Sequence, residues 1–165
     1  MTHVVRVRPA VGMQQLVGVP YVVALGVCGK MEGAGIAWPH TIVDATSKEV
    51  LSEVVSHAGY DEGMFVDVTL DVDESLDEAV RTCVDAWAAA LAGRPVLGPL
   101  APVLEEYANK VTLLGEDVLV TYPNGKVYAQ GTFVGLDVWG RATVRLVNGQ
   151  ELEFAAEHFG IRPAI

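Results

Sequence analysis

"LLGEDVLVTYPNGKVYAQGTFVGLDVWGRATVRLVNG", residues 113–149, is a run of short branched-chain and aromatic segments cut at intervals by turn chemistry. Asn124-Gly125 and Asn148-Gly149 are dipeptides that accept the positive φ angles of a tight hairpin, and "VWGR" (138–141) is a third turn signal. "ELEFAA" (151–156) continues the rhythm. About fifty residues of this kind describe a small, strongly bent β-barrel. The change of character at Leu114-Gly115 divides the chain into an α+β region, 1–111, and a barrel, 112–165.

Working back from that boundary, "VLEEYANKV" (103–111) reads as a short helix after the Pro-rich connection "RPVLGPLAP" (94–102). Before it, Leu76, Ala79, Val80, Cys83, Trp87 and Leu91 repeat at helical spacing, with Gly93 as the stop. Ser75 and Glu78 are spaced as a capping box at its start. "GMFVDVTLDV" (63–72) alternates strictly, placing Val66, Val68, Leu70 and Val72 on one face and Asp67, Thr69 and Asp71 on the other. "VLSEVVSH" (50–57) and "IAWPHTIV" (36–43) read as two more extended segments, the former joined to 63–72 by the turn "AGYDEG". "HVVRVRP" (3–9) is a strand ended by Pro9. Residues 13–31 form a helix apolar nearly all round, with Pro20 marking a kink or a start.

Charge restricts the function classes. The 11 basic residues face 21 acidic ones, a net charge of −10, which repels phosphate backbones and anionic lipid. Nucleic acid and membrane are therefore not expected as partners. "LVGVPYVVALGVCG" (16–29) has fourteen residues, three Gly and a Pro, where a span needs about 20 apolar residues. It reads as a buried helix in a cytoplasmic protein. Cys28 and Cys83 read as buried reduced thiols. His3, His40, His57 and His158 show no zinc-ligand spacing. Asp67, Asp71, Asp73 and Glu74 fail the calcium-loop pattern, because Leu76 and Thr82 stand where Gly and Glu are required.

The order of these segments resembles the biotin protein ligases of the biotin/lipoate ligase superfamily. In that family a strand ends in Lys-Trp-Pro-Asn-Asp, a Lys follows ten residues after the Trp, and a later strand carries Gly-x-Gly-x-Asn. Here "AWPHT" (37–41) stands at the first motif, Lys48 lies ten residues beyond Trp38, and "VDVTLDV" (66–72) stands at the third. "LLGEDVLVTY" and "GTFVGLDVWGRATVRLVNG" resemble the family's terminal SH3-like barrel. The likeness runs from about residue 3 to 163. It implies a partial biotin/lipoate-ligase sheet backed by helices and followed by an SH3-like barrel. It also implies biotin or ATP as ligands, at Trp38, His40, Lys48 and Asp71.

The departures carry as much weight. The family's Gly-Arg-rich loop, which closes over biotin and phosphate, has no counterpart, because the sequence opens directly at "MTHVVRVRP". Ala37 replaces the Lys, and His40-Thr41 replace Asn-Asp. Asp67 and Thr69 replace the two glycines, and Asp71 the Asn. Activating a carboxylate with a nucleoside triphosphate joins two anions, so the site must supply positive charge and oriented N–H donors. A carboxylate about 4 Å from such an anion repels it by about 4 kcal/mol at an effective dielectric of 20. Lys48 is the one cation carried over. It either contacts ligand as the matching Lys does or is ordinary solvated turn sequence paired with Glu49, Glu53 or a strand aspartate. Trp38 either stacks a ligand or packs the core.

Three readings follow. The first is a truncated, ligase-like protein with no catalytic residues of its own, which binds a biotin- or lipoate-type ligand weakly or recognises a carrier domain. The second is one subunit of a split ligase, completed by a chain that docks on the open sheet edge and on the helix at 13–31. The third is an interaction module acting through the terminal barrel. Self-association into a homo-oligomer is compatible with each.

Overall fold

The computed structural model describes all 165 residues. β1 (His3–Val7) buries Val5 and Val7 and exposes Val4 and Arg6, as its alternation requires. A 3-10 turn over Met13–Gly18 then leads into α1 (Val19–Cys28). Pro20 stands in the first turn of α1, where its missing N–H has no intrahelical partner to lose. Every residue of α1 is buried, which accounts for its apolar circumference.

The segment 36–43, expected as a single strand, is a hairpin of β2 (Ala34–Ala37) and β3 (Thr41–Asp44), with Trp38, Pro39 and His40 in the turn between them. The residue before a proline is held out of the helical region and the ring withholds a ladder donor, so the pair breaks the strand. The segment 50–57 also divides, into β4 (Val50–Ser52) and β5 (Val55–Tyr60), and the two halves join different sheets. At the break, Ser52 Oγ donates to the Glu53 carbonyl and accepts from the Asp71 N–H.

β6 (Met64–Leu70) lies at the centre of an antiparallel sheet of order β1-β6-β5, with Val5 opposite Val68 and Arg6 opposite Asp67. A second sheet has the order β2-β3-β4. α2 (Asp77–Leu91) buries Val80, Val84, Trp87 and Leu91. Leu76, Ala79 and Cys83 are only half-buried, so the apolar stripe is centred slightly differently from the expected one. The capping box at Ser75 is not formed. Asp73 caps instead, its carboxylate accepting from the Ser75 N–H at 2.8 Å, because a 3-10 turn over Glu74–Leu76 precedes the helix. Gly93, at φ +75°, ends the element as expected.

The Pro-rich connection to α3 (Leu104–Lys110) is pinned by a buried side chain that periodicity does not reveal. The Gln15 amide donates to the carbonyls of Arg94 and Leu97, both at 2.9 Å, and its oxygen accepts from the Gly12 N–H. Both amide hydrogens and the oxygen thus have a partner in the core.

The carboxy-terminal strands are β7 (Asp117–Thr121), β8 (Val127–Leu136), β9 (Ala142–Leu146), β10 (Glu151–Phe154) and β11 (Gly160–Pro163). Gly125, Gly140 and Gly149 take the positive φ angles their turns need. The sheet order is β10-β9-β8-β7-β11. β10 and β11 form its two edges and do not pair, so the expected barrel is an open five-stranded sheet. Turn dipeptides specify neighbouring hairpins, whereas closure needs pairing between distant strands, which no local signal encodes. One apolar core of 33 buried residues runs from β1 through α1 and α2 into this sheet, reaching Phe133, Val144 and Phe154. No helix is long and apolar enough to cross a membrane.

Candidate functional site

The turn between β2 and β3 brings Trp38 and His40 to the junction of four elements. Trp38 is 5% exposed, and its indole N–H donates to the Gly140 carbonyl, in the turn between β8 and β9, at 2.7 Å. The Tyr107 hydroxyl, from α3, donates to the Pro39 carbonyl. The Tyr21 ring, from α1, stands edge-on to both His40 and Tyr107, with centroids 5.2 and 5.3 Å apart. Gly140 is required here, since at φ +82° a Cβ would meet the Tyr21 hydroxyl at 2.5 Å. Trp38 therefore packs the core. Burial lowers the His40 imidazole to about 4, leaving it neutral at physiological pH. A neutral ring of such low basicity has little capacity as a general base near neutrality.

Lys48 and Asp71 are not part of this cluster. Lys48 lies in the turn after β3 at φ 66°, and its ammonium donates to the Ala45 carbonyl at 2.7 Å. The same turn is closed by Asp44, whose carboxylate accepts from the Thr46 and Ser47 N–H groups. None of the ion pairs weighed for it, with Glu49, Glu53 or a strand aspartate, forms; its ammonium bonds within its own loop. Asp71 follows β6 and faces solvent. Its carboxylate lies 2.8 Å from the Met1 amino group, and its N–H is held by Ser52.

The outward face of the β1-β6-β5 sheet is where the strand motif of the resemblance falls. Register aligns Val4, Thr69 and Val55 in one row and Arg6, Asp67 and His57 in the next. Arg6 grips Asp67 through two bonds, at 2.7 and 2.9 Å, and its guanidinium lies 3.7 Å above the Phe65 ring. Arg8 grips Asp61 through two bonds of 2.7 Å. These guanidinium groups hold both carboxyls below the usual carboxylate range. Asp67 and Asp71, read from the sequence as added negative charge, each lie against a positive group. The sequence did carry a signal for the arginine pairs, namely Arg6 and Arg8 two apart at the same alternation of 3–9, with aspartates at the matching alternation of 63–72 and in the turn before it.

No protein-family model matches the chain, and no curated protein matches it by sequence. Solved structures do. The apo biotin protein ligase from Aquifex aeolicus superimposes with a TM-score of 0.70 at 16% identity, over 99% of this chain and 82% of that one. The Aquifex aeolicus enzyme in complex with biotin and ATP gives 0.68 at 14% identity, over 99% and 78%. A point mutant of that enzyme in complex with biotin gives 0.67 at 14% identity over the same shares. With an α+β architecture of three helices and eleven strands that matches those enzymes over 99% of its own length, the chain has a biotin protein ligase-like fold.

Proposed function

We propose that this is a ligase-like protein that does not form an acyl-adenylate by itself, and that it recognises a carrier domain or holds a biotin- or lipoate-type ligand weakly. The observation that carries this reading is the Arg6–Asp67 pair. The two basic side chains on this side of the sheet are each committed to a carboxylate, Arg6 to Asp67 of β6 and Arg8 to Asp61 of the turn between β5 and β6. A triphosphate brought there would have to displace Asp67 or Asp61 from a two-point guanidinium contact. Thr69 and Asp67 also occupy the strand floor on which a ligand would otherwise lie against backbone. Lys48, the remaining cation of the motif, is turned into its own loop.

The test is incubation with biotin or lipoate, ATP, magnesium and an acceptor carrier domain. The expected result is no pyrophosphate release and no labelled carrier, with at most weak binding of the acid seen by calorimetry. ATP-dependent labelling of a carrier lysine by the purified chain would overturn the reading.

A second reading, one subunit of a two-chain ligase, is favoured by the bare apolar row on the same face. Val4 and Val55, 57% and 55% exposed, flank Thr69, and β5 is a free sheet edge. Co-purification with a chain carrying a Gly-Arg-rich loop, with recovery of adenylation, is the expected outcome there. A stable monomer that ignores such a chain counts against it.

A further inference from the structure

A cleft with a volume of about 390 Å3 opens where the 3-10 turn before α1 meets the loops that follow β8 and β10. None of its lining residues comes from β1, β5 or β6, so it is separate from the sheet face discussed above. Tyr21 is 5% exposed, yet its hydroxyl makes no hydrogen bond within the protein and opens into this cleft. Solvent reaches the hydroxyl from the cleft, so a polar ligand group there takes the place of water as its partner.

The other groups decide what chemistry suits that hydroxyl. Arg141 is the one cation of the lining, and it is tied to Asp137 at 2.6 Å and to Glu153 at 3.5 Å. Glu157 makes no ion pair, which leaves a spare carboxylate and no spare positive charge. Burial, then Glu157 and Asp137, push the Tyr21 phenol well above its ordinary range, so it stays a neutral hydroxyl with lone pairs to offer. Trp139 is 38% exposed, and an indole face is the best of the aromatic surfaces for a cation. Val17, Ala155 and Ala156 supply apolar wall beside these polar groups.

We propose that this cleft is a binding site for a protonated amine on an alkyl stem, held by the Glu157 carboxylate, the Trp139 face and the Tyr21 oxygen. The amine is either a lysine side chain of a partner protein or a free polyamine. An anion is disfavoured because the only guanidinium present is already doubly paired, and a purely apolar ligand would leave the Tyr21 hydroxyl and Glu157 without partners.

The experiment is calorimetric titration of the whole chain with cadaverine and with a capped peptide bearing one lysine. Controls are diacetylated cadaverine and the norleucine peptide. Trp139 emission serves as a second readout, since Trp38 and Trp87 are 5% and 2% exposed. Saturable binding of the amines and not of the neutral controls is expected. Glu157→Gln and Trp139→Ala should each weaken it about fivefold, and Tyr21→Phe should weaken it while keeping the ring packed. Cadaverine binding tighter than the peptide identifies a free polyamine; the reverse identifies a protein side chain. Neutral controls that bind as well as the amines, no saturable binding of either amine, or a Glu157→Gln protein that binds as the parent does would each overturn the proposal.

Discussion

The indole N–H of Trp38 donates to the carbonyl of Gly140 at 2.7 Å, joining residues 102 apart in the chain. It ties the turn between β2 and β3 to the carboxy-terminal sheet, inside a core that leaves little water to replace the bond. Replacing Trp38 with Phe keeps an aromatic ring but orphans that carbonyl. The expected loss is about 2 kcal/mol of unfolding free energy, measured as a lower urea midpoint at unchanged slope.

His40 makes stability sensitive to mild acid. Burial holds its imidazole at about 4 in the folded state, against about 6.5 in an unfolded chain. Between those values the unfolded state binds the extra proton, so stability falls as pH drops from about 6.5 to about 4, by about 3 kcal/mol in all. Urea midpoints across that window should decline in the parent protein. In His40→Asn the decline between about pH 6.5 and about 5 should be nearly absent apart from what the other histidines contribute, since below about 5 the paired carboxyls of Asp61 and Asp67 add their own loss.

His3 acts with the opposite sign. Its Nε2 lies 2.7 Å from the Asp77 carboxylate at the start of α2, and that hydrogen bond, more than any other influence, raises its pKa. The stabilisation is complete below the unfolded value of about 6.5 and is lost as pH rises through the higher folded value. Thermal melts of the parent and of Asp77→Asn should therefore differ more at pH 6 than at pH 8.5. The helix-terminus contribution of Asp77 is the same at both pH values and cancels from the comparison. A gap that does not shrink with rising pH would contradict the assignment.

Lys48 provides a check on the site itself. Its φ of 66° is strained for any residue with a Cβ, so Lys48→Gly should gain about 1 kcal/mol, less what the bond to the Ala45 carbonyl supplies. A residue committed to its turn should also leave biotin and ATP titrations unchanged when replaced. A clear loss of binding would return Lys48 to the ligand site.

Much of the architecture was legible because its causes are local. The alternation over 63–72 placed Val66, Val68 and Leu70 inward, where they are buried. The hairpins at Asn124-Gly125 and Asn148-Gly149, the helix closed by Gly93, and the short helix before the last sheet rest on turn chemistry and apolar spacing in the same way. The candidate site was less legible. Trp38 and His40 do sit together, but Tyr21, Tyr107 and Gly140, which complete their surroundings, come from three other elements with no common motif. Lys48 and Asp71 matched by spacing alone, and spacing does not say whether a side chain reaches a site or folds back on its own loop.

Side-chain period, turn dipeptides and helix stops depend on neighbouring residues, so the sequence alone sufficed for most of the elements, their order and the net negative charge, but not for the breaks at Trp38-Pro39 and between β4 and β5 or for the open last sheet. Which charges are spent and which are free was decided only by the tertiary structure. Arg6 meets Asp67 across two strands, Arg141 meets Asp137 across a turn and Glu153 of β10, and Glu157 makes no ion pair. Coulomb energy depends on separation in space, which strand register and packing set and which distance along the chain does not.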